Sequence, residues 1–159
     1  MNEIILGLGD YGASKTPGTI IKTYALGSCV AVMLYDPVIQ AAGMVHVVLP
    51  DSSIDSKKAQ QKPGYFADTG ISSLLALMEQ LGSSGQVWVK LAGGAQIADP
   101  NFRFNVGKRN TLAVKKCLWA LRLGALTEDL GGDLSRTVAL RTDDGMVVLS
   151  NPKKGEWMI

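Results

Sequence analysis

The stretch Cys29-Val30-Ala31-Val32-Met33-Leu34-Tyr35-Asp36-Pro37-Val38-Ile39-Gln40-Ala41-Ala42-Gly43-Met44-Val45-His46-Val47-Val48-Leu49 decides how this chain is read. Two apolar runs, Cys29–Tyr35 and Gly43–Leu49, flank Asp36-Pro37, and proline suits the first central position of a tight turn. The pattern predicts an antiparallel hairpin with Pro37 and Val38 at its tip. Asp36 then pairs with Ile39, Tyr35 with Gln40 and, counting back, Cys29 with His46. That register places the thiol and the imidazole on one face, with Cβ atoms about 4.5–5.5 Å apart. An extra residue at Ala41-Ala42-Gly43 would shift the register by a bulge.

Working outward, Thr19–Leu26 follows the Pro17-Gly18 turn and carries β-branched residues, so it reads as a strand, as does Ile4-Ile5-Leu6. Asp51–Lys62 is polar, without an apolar period, and reads as a mobile loop. Asp68-Thr69 is an N-cap signal before Ile71, Leu74, Leu75, Met78 and Leu81, a helical stripe that stops at Gly82. Gln86–Leu91 alternates as a strand. A second helix starts at Asn105 or Asn110 and runs through Leu112, Val114, Leu118 and Leu121, with Gly124 as its C′ residue. Leu126–Leu130 reads as a short strand, and Thr137–Arg141 with Met146–Leu149 as a hairpin around Asp143-Asp144-Gly145. The fold class is therefore α/β, a layered arrangement of mixed, mostly antiparallel sheet with two main helices. Its 159 residues suit a single domain, 1–159, able to fold without crosslinks.

Composition narrows the chemistry. Sixteen basic and fourteen acidic residues leave +2, which argues against nucleic acid as the main partner. No apolar run approaches the ~18 residues of a membrane span, so direct membrane insertion is not expected. Cys29, Cys117 and His46 are the whole cysteine and histidine complement, too few for a structural zinc site, and no metal or organic cofactor is expected. Met1-Asn2-Glu3 lacks the basic region of a secretory signal, and two lone cysteines fit the reducing cytoplasm. Gly7-Leu8-Gly9-Asp10-Tyr11-Gly12 matches a dinucleotide-binding fingerprint. Ala13-Ser14-Lys15-Thr16-Pro17-Gly18 follows, and it prevents the helix whose N-terminus would hold a pyrophosphate. It is read as a glycine-rich turn.

A thiol beside an imidazole is a nucleophile beside its base, and a neighbouring imidazolium favours the reactive thiolate. Gly27-Ser28 lets the backbone come close, so N–H groups of Ser28 or Cys29 are candidates to bind an oxyanion. Thr23, six residues before Cys29, is a candidate to orient the imidazole as the third member of a triad. The same residues also read as a small buried cysteine and a core histidine, with Thr23 present for strand propensity. Cys117, between Lys116 and Leu118 in the second helix, reads as packing.

The residues resemble the CheD family, chemoreceptor glutamine deamidases of bacterial and archaeal chemotaxis. The resemblance rests on Leu26-Gly27-Ser28-Cys29-Val30-Ala31-Val32 and His46-Val47-Val48-Leu49-Pro50-Asp51-Ser52. It continues through Tyr65-Phe66-Ala67-Asp68-Thr69, Leu91-Ala92-Gly93-Gly94-Ala95, Asn105-Val106-Gly107-Lys108-Arg109-Asn110 and Glu128-Asp129-Leu130-Gly131-Gly132. It implies a catalytic set of Cys29, His46 and Thr23. The implied reaction is hydrolysis of receptor glutamine carboxamides to glutamates through a Cys29 thioester. It also implies a sandwich similar to bacterial deamidating toxins, a cytoplasmic location, and a CheC-type phosphatase as partner beside the receptors. Two other classes stay open: another Cys-His hydrolase such as a peptidase, and a non-enzymatic docking partner of a CheC-type phosphatase. The receptor is expected to dock beside Asp51–Lys62, or alternatively over Phe102 and Phe104.

Overall fold

The computed structural model describes residues 2–97 and 105–159. Strands β1 (Asn2–Leu6), β2 (Tyr11–Ser14), β3 (Thr19–Leu26), β4 (Val30–Asp36) and β5 (Ala41–Val47) come first. Helix α1 (Ser56–Gln61), flanked by 3-10 turns at Ser52–Ile54 and Pro63–Tyr65, leads into α2 (Ala67–Gln80). Then follow β6 (Trp88–Gly93), α3 (Val106–Ala120), β7 (Ala125–Leu130), β8 (Arg136–Arg141), β9 (Val147–Asn151) and β10 (Gly155–Met158).

The strands form two five-stranded sheets, β1-β3-β8-β9-β10 and β2-β5-β4-β6-β7. β1–β3 and β6–β7 are parallel pairs; the other pairings are antiparallel. The expected α/β layered sandwich is the observed one. α2 and α3 cover one face of the second sheet, where Val30, Val32, Leu34, Val45 and Val47 meet Ile71, Leu74, Val114 and Leu118. The other face, with Ala31, Met33, Tyr35, Ala42 and Met44, packs on Ile21, Val138, Leu140 and Leu149 of the first sheet. Buried on both sides, β4 and β5 hold apolar residues at nearly every position, the expected pattern for a central strand.

The β4–β5 hairpin differs from its expected register. Asp36 pairs with Ala41, so Pro37–Gln40 form a four-residue loop and His46 lies opposite Ala31, not Cys29. Asp36 causes the change. Its Oδ1 accepts the N–H groups of Val38 (2.9 Å) and Ile39 (3.4 Å), and Gln40 closes the loop in the left-handed region at φ 51°. The shift is two residues on one strand, so side-chain parity survives. Cys29, just before β4, stays on the face of His46 as its diagonal neighbour.

Other expectations change for similarly local reasons. Asp51–Lys62 is not a loop. Asp51 accepts the Ser53 N–H and Asp55 the Lys58 N–H, capping successive helical turns in a stretch without apolar periodicity. Asp68 sits in the first turn of α2 instead of capping it, and its carboxylate takes the Ser52 N–H. The chain leaves α3 through Arg122 at φ 59°, so Gly124 is not the C′ residue. β2 and β10 were not expected. Both are short edge strands whose pairing is decided by their neighbours.

Asp36 is 2% exposed, and its Oδ2 also accepts from Ser83 Oγ at 2.6 Å. Asp36→Ala leaves the buried Ser83 hydroxyl without its acceptor and frees the Val38 and Ile39 N–H groups to water, and is expected to cost about 1–3 kcal/mol, read from urea unfolding. A change below about 0.5 kcal/mol would mean that the loop does not depend on this carboxylate.

Candidate active site

His46 is held from three directions. Along its backbone, its N–H donates to Asp10 O (3.0 Å) and its carbonyl accepts from Gly9 N (2.9 Å). The glycine-rich turn therefore grips the histidine, and it leads into β2 instead of a helix. Gly9 adopts φ 72°, and a Cβ there would fall 2.8 Å from the Tyr65 ring, so this close turn requires glycine. Across the layer between the sheets, Thr23 Oγ1 of β3 lies 2.7 Å from His46 Nδ1. The same hydroxyl donates to Leu6 O at 2.8 Å. A hydroxyl has one proton and Leu6 O can only accept, so Nδ1 carries the proton that bridges to Thr23. The tautomer follows: Nε2 holds a lone pair. Nε2 is buried and has no hydrogen-bond partner among the described residues.

Cys29 lies on the loop that joins the two sheets. β3 ends in an irregularity between Thr23 and Leu26, with Ala25 at φ 51°, which turns the chain out of one sheet toward the other. The carbonyls of Gly27, Ser28 and Cys29 accept from Ala95 N (2.9 Å), Asn110 Nδ2 (2.9 Å) and Gly94 N (2.8 Å). No backbone hydrogen bond is donated by Gly27, Ser28 or Cys29 among the described residues. Cys29 is half-buried against the core between the sheets, and no hydrogen bond joins its sulfur to Nε2.

Burial sets the resting protonation. It pushes the Cys29 thiol up to about 11, against a smaller downward effect from its own backbone N–H. Burial likewise pushes the His46 imidazole down to about 4; Asp10 opposes this and Lys62 reinforces it. Lys62 Nζ sits 3.1 Å from Asp10 Oδ1, so the nearby carboxylate is largely neutralised. At neutral pH the resting pair is thus thiol and imidazole, not the thiolate–imidazolium pair that sequence reasoning favoured. Proximity is not enough to ionise two groups in a dry layer.

The fold brings Thr23, Cys29 and His46 to one end of the layer between the sheets, with Gly27 and Ser28 on the loop leading into it. Cys117 packs against the helix-side core, away from them. Sequence reasoning treated Asn110 as a possible helix start. It stands inside α3, fully buried, and donates to Ser28 O and Val48 O. Its signal was legible: Gly107, Asn110, Val114 and Leu118 are one helical stripe, and a carboxamide interrupts it. A groove of about 1070 Å³ between α3 and β7 is lined by Leu112, Trp119 and Leu126 but by none of the three site residues. Leu8, about half exposed, stands in the turn that grips His46. Phe102 and Phe104 lie outside the described residues.

These features define an α/β sandwich with a thiol, a free imidazole nitrogen and a hydroxyl at the junction of its sheets. Residues 48–151 match the family described as CheD chemotactic sensory transduction. A Syntrophotalea carbinolica protein named probable chemoreceptor glutamine deamidase CheD is 52% identical over 162 residues, covering 100% of both chains. A Syntrophus aciditrophicus relative, probable chemoreceptor glutamine deamidase CheD 1, is 40% identical over 95% of each chain. The Thermotoga maritima chemoreceptor glutamine deamidase CheD is 37% identical, covering 96% of this chain and 94% of its own. The chain belongs to the CheD family. The family match begins two residues after His46, whereas the full-length relatives span the site as well.

A histidine held neutral by burial binds fewer protons folded than unfolded between about pH 4 and 6.5. Its contribution is therefore present above pH 6.5 and lost as pH falls toward 4. Wild type should lose on the order of 3 kcal/mol more than His46→Gln between pH 7 and 4, measured by denaturant titration at each pH. Parallel pH profiles would place the ring in water in the folded protein.

Proposed function

We propose that this protein hydrolyses glutamine side-chain amides of chemoreceptors to glutamates, using Cys29 as the nucleophile. The observation that carries the reading is the Thr23–His46 contact at 2.7 Å, which leaves Nε2 as an unpartnered base on the face that Cys29 shares. The names of the relatives, two probable chemoreceptor glutamine deamidases and one chemoreceptor glutamine deamidase, supply the substrate class.

The substrate's entry covers the half-buried Cys29 and brings its carbonyl to the sulfur. Nε2 takes the thiol proton as the C–S bond forms, so neither charge has to exist in the resting protein. The oxyanion rests on the N–H groups of Ser28 and Cys29, and Gly27 leaves room for the carboxamide. The tetrahedral intermediate expels its nitrogen, which takes the proton back from the imidazolium and leaves as ammonia. Nε2 then deprotonates water, which attacks the thioester, and Cys29 leaves and is reprotonated. The net change is one carboxamide plus water to one carboxylate plus ammonium. Thr23 keeps Nδ1 protonated throughout. Every step is assigned to a side chain or backbone N–H of this chain, without metal or organic cofactor.

The proposed setting is the cytoplasm, with the receptor's cytoplasmic domain as substrate and a CheC-type phosphatase as a second partner for the same rim. The exposed Leu8, in the turn that grips His46, supports docking of a protein surface, as a half-buried cysteine suits a side chain presented from a convex partner.

Cys29→Ala should abolish ammonia release from a purified receptor cytoplasmic fragment while leaving its backbone whole by mass spectrometry. Thr23→Val removes the contacts to both Leu6 O and His46 Nδ1; loss of the second, which orients the ring and is worth about 1.4 kcal/mol, should lower kcat about tenfold. A new receptor N-terminus would make the protein a peptidase. Undiminished ammonia release by Cys29→Ala would end the thioester reading, and a chain that releases none but binds a CheC-type phosphatase would be a docking partner.

A further inference from the structure

Asn110 is a costly residue where it stands. It is fully buried on the apolar stripe of α3, its Nδ2 donates to Ser28 O and Val48 O at 2.9 Å each, and its Oδ1 has no partner among the described residues. A buried acceptor left unpaired is destabilising. The two bonds it makes tie the residue before Cys29 to the residue two beyond His46, across two loops that no strand ladder joins. Helix α3 reaches these loops because Gly107 has no side chain. A Cβ there would lie 2.5 Å from the carbonyls of Gly94 and Ala95.

The consequence lies in the geometry of the peptide unit. In a trans peptide the C=O of one residue and the N–H of the next point in opposite directions, and no cis bond occurs among the described residues. Anchoring Gly27 O on Ala95 N turns the Ser28 N–H away from the β6–α3 framework. Anchoring Ser28 O on Asn110 turns the Cys29 N–H away in the same manner. Two adjacent donors are thereby aimed before any substrate arrives. Two of the three anchors, Gly94 N and Ala95 N, are main chain; Asn110 is a side chain and can be removed.

We infer that Asn110 is a positioning residue that fixes the Ser28–Cys29 peptide so that its N–H stabilises the oxyanion. This rests on the thiol-hydrolase reading above. Loss of Asn110 slows acyl transfer without disarming the sulfur, since alkylation by iodoacetamide displaces iodide at a saturated carbon and forms no oxyanion.

The experiment compares receptor-fragment deamidation and Cys29 alkylation in wild type, Asn110→Ala and Asn110→Ser, with folding checked by near-UV circular dichroism and thermal melting. In Asn110→Ala, kcat should fall at least about tenfold, with KM and the alkylation rate within about threefold of wild type. Asn110→Ser keeps one donor and should fall between the two. Equal loss of deamidation and alkylation would assign Asn110 to the fold alone and overturn the proposal, as would a kcat within threefold of wild type. Unfolding of both variants at the assay temperature would overturn it likewise. If wild type releases no ammonia, or Cys29→Ala still releases it, the hydrolase reading fails instead, whatever the Asn110 variants do.

Discussion

A threonine hydroxyl on one sheet and an imidazole on the other meet at 2.7 Å in a layer otherwise filled with Ile21, Met33, Met44, Leu140 and Leu149. The pairing depends on the local absence of water. Thr23 is fully buried and His46 is 3% exposed, so each must find its partner within the protein. The Leu6 carbonyl completes the chain of donors by taking the threonine proton, and that fixes which nitrogen of the ring is free. The sheets must stack at this separation and offset for the contact to exist. The site is therefore a product of their packing and not of either sheet alone.

The same dryness restrains the chemistry until it is needed. Burial holds the thiol protonated and the imidazole neutral, which lowers the nucleophilicity of Cys29 and its exposure to chance oxidation. What the structure supplies in advance is direction. The Gly7–Asp10 turn grips the backbone of His46 on one side, while Gly94, Ala95 and Asn110 grip the carbonyls around Cys29 on the other. Rigid donors that cost no rearrangement at the moment of reaction are the strongest contribution a fold can make to acyl transfer.

Much of this was legible before the fold. Alternation and β-branching marked β3, β4, β5, β8 and β9 nearly to their ends, because strands buried on one or both faces select such residues. The helical stripes of α2 and α3 were equally clear. Less legible was whatever depends on a side chain answering the backbone. Asp36 lengthened a turn that Pro37 suggested was tight, and Asp51 and Asp55 made helical turns from a stretch with no apolar period. β2 and β10 carry weak patterns of their own and exist because an edge was available to pair with.

The sequence by itself determined that Cys29 and His46 share a face. Side-chain direction along a strand has a period of two, and the four-residue loop moved the register by an even step. It also determined that the glycine-rich turn could not start a helix, since Pro17 and Gly18 stand in the way. Tertiary structure alone decided that Thr23 reaches His46, that Leu6 sets its tautomer, and that Asn110 ties the two loops together. Those contacts join residues from 17 to 82 positions apart. No local propensity encodes them; they follow from how two sheets and a helix close on one another.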